Sequence, residues 1–131
     1  MSMAYEMLRR HEGFRSLPYL CTAGKLTVGY GHNLDEPMSD ELGGMILQYD
    51  IKVATRELIR IFQDFPMFGE RRASALIDMM VNLGATRFRG FKKMIAAIKK
   101  NDWVEAAAEA KDSRWYVQVG SRGNEITKML T

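Results

Sequence analysis

With 131 residues, 47% of them hydrophobic, the chain is long enough for one domain with its own core and too short for two independent ones. The formal charge of +3 is scattered along the chain, which argues against the basic stripe of a nucleic-acid-binding protein. One cysteine, Cys21, excludes an intrachain disulfide. No apolar run approaches the roughly eighteen residues of a membrane span, so no stable membrane insertion is expected. The opening Met1-Ser2-Met3-Ala4-Tyr5-Glu6 stretch carries no apolar core of signal-peptide length, so synthesis in the cytoplasm without self-directed export is expected.

Taken in chain order, residues 2 to 11 read as a short amphipathic helix, with Met3, Met7 and Leu8 on one face, Ser2 as its cap and Gly13 as its stop. From Leu17 to His32 the pattern shifts to short strands: Thr22-Ala23-Gly24-Lys25 makes a turn, and Leu26, Val28 and Tyr30 alternate with Thr27, Gly29 and Gly31. Pro37 and Ser39 open a long helix, with Asp40 and Glu41 suited to its positive end, running to about Phe62. The Gly43-Gly44 pair predicts a bend or break within it. After Asp64-Phe65-Pro66 come a helix over 70 to 83, a helix over 90 to 100, and a helix capped by Asn101-Asp102 that carries Trp103, Ala106 and Ala110. A turn at Ser113-Arg114-Trp115-Tyr116 and a last helix from near Ser121 complete the chain. The predicted class is α+β, mainly α, as one bilobed domain over 1–131. It comprises a front α/β lobe of about 12–38, an interlobe helix of about 39–62 and a helical lobe of about 63–131 that includes the N-terminal helix. A ligand cleft between the lobes is expected, because sites form where packed units meet.

Three residues could carry chemistry. Glu12 ends the first helix, Cys21 follows after eight intervening residues, and Thr27 after five more. Glycoside hydrolysis needs a carboxylic acid that protonates the leaving oxygen and a group that positions or activates water. Glu12, with Phe14 and Tyr19 as apolar neighbours, suits the first part. On residue type alone the stronger reading is the plain one: a Glu at a helix end is structural or solvated, a lone Cys is a small buried apolar residue, and a strand Thr needs no special role.

The run His11-Glu12-Gly13-Phe14-Arg15, then Pro18-Tyr19, then Gly24-Lys25-Leu26-Thr27-Val28-Gly29-Tyr30-Gly31-His32, closely resembles the front-lobe signature of the phage-type lysozymes, a glycoside hydrolase family. Arg71-Arg72-Ala73-Ser74-Ala75-Leu76 and Asn82-Leu83-Gly84 resemble that family's central helix. Gly90-Phe91 and Trp103 recur in order, and Ser113-Arg114-Trp115-Tyr116 with Gln118 and Arg122 resembles its C-terminal signature. The resemblance covers nearly the whole chain.

It implies a lysozyme-like fold and a triad: Glu12 as general acid, Cys21 at a position usually held by Asp, and Thr27 helping to hold the attacking water. The implied reaction is hydrolysis of the linkage between N-acetylmuramic acid and N-acetylglucosamine in peptidoglycan, with inversion and without a metal or cofactor. Cys21 departs from the commoner pattern. An ordinary thiol, with a pKa of about 8.5, is mostly uncharged at neutral pH. Either the site depresses that value or the thiol only places water; attack by a thiolate on the sugar, with retention, is a third option that ranks well behind positioning or base help. By correspondence Gly31, Asn33, Val81, Asn82, Met94, Glu109 and Arg114 would contact substrate, with Val81 in place of a larger aromatic residue and Glu109 in place of a neutral amide. His32 would pair with Asp50 in a structural role, and His11 would be exposed. Trp103, Trp115 and Tyr116 read as packing residues rather than sugar platforms. The segment from Asn33 to Leu47 is shorter than in the longest-studied members, implying a trimmed front lobe.

The resemblance thus implies a monomeric endolysin made in the host cytoplasm, binding glycan strands and no nucleic acid, and reaching the wall through a holin-type protein. Two alternatives stand beside it: a peptidoglycan-binding module that lost activity through the cysteine, and a lytic transglycosylase, which needs the acid but no activated water.

Overall fold

A computed structural model describes residues 2–131. Among them the chain forms eight α-helices and three strands: α1 (Ser2–Glu12), β1 (Arg15–Leu20), β2 (Leu26–Gly29), β3 (His32–Asn33), α2 (Asp40–Ile61), α3 (Glu70–Leu83), α4 (Ala85–Arg89), α5 (Lys92–Lys99), α6 (Trp103–Lys111), α7 (Arg114–Val119) and α8 (Ser121–Leu130). A short 3-10 turn, Phe65–Met67, follows α2. This is the predicted α+β, mainly α class. The chain divides into two compact units, one ending at Met45 and one running from Ile46 to Thr131.

The first unit holds α1, a three-stranded antiparallel sheet in the order β1-β2-β3, and the first residues of α2. Tyr19 pairs with Thr27 and Leu20 with Leu26 across the first ladder, and Thr27 pairs with Asn33 and Val28 with His32 across the second. The turn over Cys21–Lys25 is closed by two backbone bonds: Cys21 N–H donates to Lys25 O (2.9 Å) and Gly24 N–H to Cys21 O (2.8 Å). The predicted apolar face of α1 is not buried: Met3, Met7 and Leu8 are all exposed. A sheet with strands of six, four and two residues offers too little surface to cover a helix face. Thr27 is the one buried side chain among the described residues of this unit.

α2 starts where the sequence predicts, with the Ser39 hydroxyl accepting from Leu42 N–H (3.1 Å). It then runs helical through Gly43-Gly44, against the predicted break. Two glycines cost about 2 kcal/mol relative to alanines, which a capped helix of 22 residues with Asp40 and Glu41 in its first turn absorbs.

The second unit holds the core. Leu58, Phe62, Leu76, Met79, Phe88, Met94 and Leu130 are almost fully buried, each contributing about 1.5–3 kcal/mol. Phe68 joins the aromatic part, with its ring centroid 5.6 Å from those of Phe62 and Phe65 and 4.9 Å from that of Trp103. The predicted turn at Ser113–Tyr116 is instead the start of α7. Ser113 Oγ donates to Ala110 O (2.6 Å) and accepts from Tyr116 N–H (3.1 Å), so one hydroxyl ends α6 and caps α7. Asp102 caps α6 as predicted, accepting from Glu105 N–H (3.1 Å). Trp103 and Trp115 are buried and Tyr116 is partly buried, which fits packing rather than sugar stacking.

Candidate functional site

In the first unit, Glu12, Cys21 and Thr27 come from three different elements. Glu12 is the last residue of α1 and is exposed. Its carboxylate lies against Gly31, in the turn between β2 and β3; a Cβ built on Gly31 would stand 2.5 Å from Glu12 Oε2. The apolar neighbours expected from sequence have other partners: the Phe14 ring meets that of Tyr30 (centroids 5.2 Å apart), and the Arg15 guanidinium sits over the Tyr19 ring at 4.4 Å.

Cys21 and Thr27 are brought together by the β1–β2 turn. The thiol is held below its ordinary value chiefly by the backbone N–H of Lys25, then by that of Ala23, with the Thr27 hydroxyl adding to them against the opposing effect of burial. Hydrogen bonds to a thiolate stabilise the charged form, so more of it exists at neutral pH than of a free thiol. Thr27, 4% exposed, also donates from Oγ1 to Lys25 O at 2.8 Å. Its single hydroxyl proton can serve the carbonyl or the sulfur, one at a time, leaving its lone pairs to accept from water. Chemically the arrangement offers a carboxyl group at the turn of the β2–β3 hairpin and a thiol beside a hydroxyl near the start of β2.

Lys25 was invisible as a functional residue because its contribution is made by backbone N–H and C=O, which side-chain identity does not encode. Asp35 was likewise missed. Its Oδ2 accepts from Leu26 N–H (3.0 Å), and its own N–H donates to Asn33 Oδ1 (2.9 Å), tying β3 back to the start of β2. Asn33 therefore spends its side-chain oxygen locally. His32 on β3 is exposed and belongs to the first unit, whereas Asp50 on α2 is exposed and belongs to the second.

In the second unit a cavity of about 690 Å³ gathers Met94 from α5, Glu109 from α6 and Arg114 from α7, with Lys92, Lys93 and Trp115 in its wall. Met94 is buried, so it supplies floor rather than a mobile contact. Asn82 accepts from Trp115 Nε1–H at 2.9 Å, which fixes the indole in that wall and occupies the amide oxygen. Val81 and Asp50 line a second cavity of about 530 Å³ together with Tyr49 and Met80. The substrate residues expected on the helical unit thus fall into two groups. Beside Glu109, one turn earlier on α6, Glu105 is held above the ordinary carboxylate range, first by its hydrogen bond with Glu109 and then by burial and the neighbouring negative charge. Among the described residues no group of three or more His, Cys, Asp or Glu side chains could hold a metal ion, and no helix is long and apolar enough to cross a membrane.

Comparison with known proteins adds identity to this geometry. The family model described as "Phage lysozyme" matches residues 9–130. The pre-baseplate central spike protein Gp5 of Enterobacteria phage T4 is 26% identical over an alignment that takes in 99% of this chain but 28% of the spike protein. The "Probable T4-type lysozyme 2" of Dictyostelium discoideum is 24% identical, covering 99% of this chain and 94% of that protein. An endolysin of Acyrthosiphon pisum secondary endosymbiont phage 1 is 28% identical over 79% of this chain and 71% of its own length. A family match that begins before Glu12, ends within α8 and takes in both compact units places this chain in the phage lysozyme family of glycoside hydrolases.

Proposed function

We propose that the chain is a peptidoglycan hydrolase that cuts between N-acetylmuramic acid and N-acetylglucosamine. In this reading Glu12 protonates the leaving glycosidic oxygen, and Cys21 with Thr27 positions and deprotonates the attacking water. The observation that carries the hydrolase reading is the family match over residues 9–130, and the thiol's setting bears on the role of Cys21. Two backbone N–H groups and the Thr27 hydroxyl favour the thiolate, and a thiolate can accept a water proton where an ordinary thiol cannot. Direct attack by sulfur on the sugar ranks behind this, because the hydroxyl beside the sulfur suits a water held between them. Asn33, Val81, Asn82, Met94, Glu109 and Arg114 are proposed to contact the glycan and its peptide stems. Lys93 and Arg114, in the wall of the larger cavity, are suited to stem carboxylates. His32 and Asp50 are proposed as a structural pair.

In the organism we propose a monomer that acts on the cell wall once a holin-type protein has opened the membrane, leading to host lysis. The likeness to the phage T4 spike protein favours a second mode of deployment, the same chemistry carried within a virion protein. Detecting the chain in purified virions by mass spectrometry would favour that mode over release from the cytoplasm.

The test is product analysis on purified peptidoglycan with the parent, Glu12→Gln and Cys21→Ser. Loss of a positioned general acid costs a factor of about 10² to 10⁴, so Glu12→Gln is expected to be nearly inactive and Cys21→Ser sharply slowed. Reducing ends on muramic acid identify the bond, whereas anhydro ends would indicate a transglycosylase. A Glu12→Gln variant with half or more of the parent rate would refute the acid role.

A further inference from the structure

The first unit contains four glycines at positive φ: Gly13 (68°), Gly24 (76°), Gly29 (68°) and Gly31 (75°). At the first three a Cβ would meet nothing within 4 Å, so the backbone conformation alone accounts for glycine there. Gly31 differs. A Cβ built on it would lie 2.5 Å from Glu12 Oε2, 3.0 Å from Cδ and 3.5 Å from Cγ. Ordinary contacts between non-bonded heavy atoms lie at about 3.5–4.0 Å. The space a side chain would take at position 31 is therefore the space the Glu12 carboxylate occupies.

We infer that Gly31 is a positioning residue that seats the Glu12 carboxylate in the β2–β3 turn, acting on catalysis through Glu12 rather than through the substrate contact expected from sequence. The inference rests on the proposed acid role of Glu12. The seat matters because the turn belongs to the hairpin whose β2 strand carries Thr27, so one hairpin carries both the seat of the acid and the water-holding hydroxyl. Glu12 is exposed and its atoms nearest Gly31 are the end of a flexible side chain. Pushing the carboxylate aside would accordingly add little to the backbone strain of a non-glycine residue at this φ, but would cost much in rate. Displacing a general acid from reach of its oxygen forfeits most of its about 10² to 10⁴.

Gly29 supplies the control, at the end of β2 with the same sign of φ and no carboxylate in the way. Gly29→Ala and Gly31→Ala impose comparable backbone strain, so comparable falls in Tm are expected. Only Gly31→Ala is expected to lower kcat by roughly 10²-fold or more with KM within a few-fold of the parent, whereas Gly29→Ala keeps kcat within a few-fold. A second readout is independent of activity. In protein carrying ¹³C-labelled glutamate, the Glu12 carboxyl resonance, assigned with Glu12→Gln, is expected to move in Gly31→Ala and to stay in place in Gly29→Ala. If Gly31→Ala fails to fold, Gly31→Asn carries the same test, since Asn tolerates the left-handed region better. An unmoved resonance, or a kcat for the position-31 variant that tracks the Gly29 control, overturns the seat. A moved resonance with full activity in both Gly31→Ala and Glu12→Gln overturns the acid role instead, and with it the claim that the seat serves catalysis.

Discussion

At the scale of single residues, the thiol of Cys21 is the group whose setting bears most directly on the proposed chemistry. Its lowered pKa has ranked causes: the Lys25 N–H first, then the Ala23 N–H, with the Thr27 hydroxyl behind the opposing effect of burial. Because a depressed value means that thiolate persists to lower pH, the iodoacetamide alkylation rate of Cys21 should reach half its plateau at a lower pH than that of a free thiol. Thr27→Val should move that midpoint up by less than its distance from the free thiol, since the two backbone donors remain; alkylation that titrates like free cysteine would remove the thiolate from the mechanism. The three residues proposed as a triad, Glu12, Cys21 and Thr27, could be named from sequence, because a resemblance to a family signature depends on side-chain identity and spacing. What the sequence could not announce is the part played by main chain and by missing atoms: the Lys25 amide at the sulfur, and the absent Cβ of Gly31 beside the carboxylate.

Among the helices, capping chemistry was more reliable than propensity. Ser39, Asp102 and Gly84 mark boundaries that the structure keeps, since each satisfies or ends a specific set of backbone groups. Propensity misled at Gly43-Gly44, where a local cost was outweighed by the turns on either side, and the short helices α4 and α7, of five and six residues, left too little periodicity to read. The glycine pair can be tested directly. A Cβ at Gly43 would meet only Met38 Sδ, at 3.9 Å, and one at Gly44 nothing within 4 Å. Gly43→Ala and Gly44→Ala should therefore each stabilise the protein by about 1 kcal/mol, read as a higher urea midpoint at constant m-value. A neutral or destabilising double variant would mean that the solution helix bends there after all.

For the molecule as a whole, the composition sufficed to expect a core but not to say where it lies. Among the described residues all of the buried apolar side chains, from Ala54 to Leu130, belong to the second unit, while the first unit buries Thr27 and leaves Leu17, Leu20 and Phe14 exposed. The reason is the shortness of the strands: apolar residues at period two need a second layer to bury them, and the described sheet has strands of at most six residues. Local stability follows buried contact, so the two units should open with different free energies. Amides in the buried turns of α3, α6 and α8 should exchange with deuterium only through global unfolding and share one denaturant dependence. Those of β1, β2 and β3 should exchange orders of magnitude faster, with little denaturant dependence, because they open locally. Mass spectrometry of peptides spanning 15–33 and 75–83 makes the comparison within one protein. Equal protection in the two would show that the sheet is stabilised by burial beyond what its own unit provides, and the hairpin carrying Thr27 and Gly31 would then be as rigid as the core.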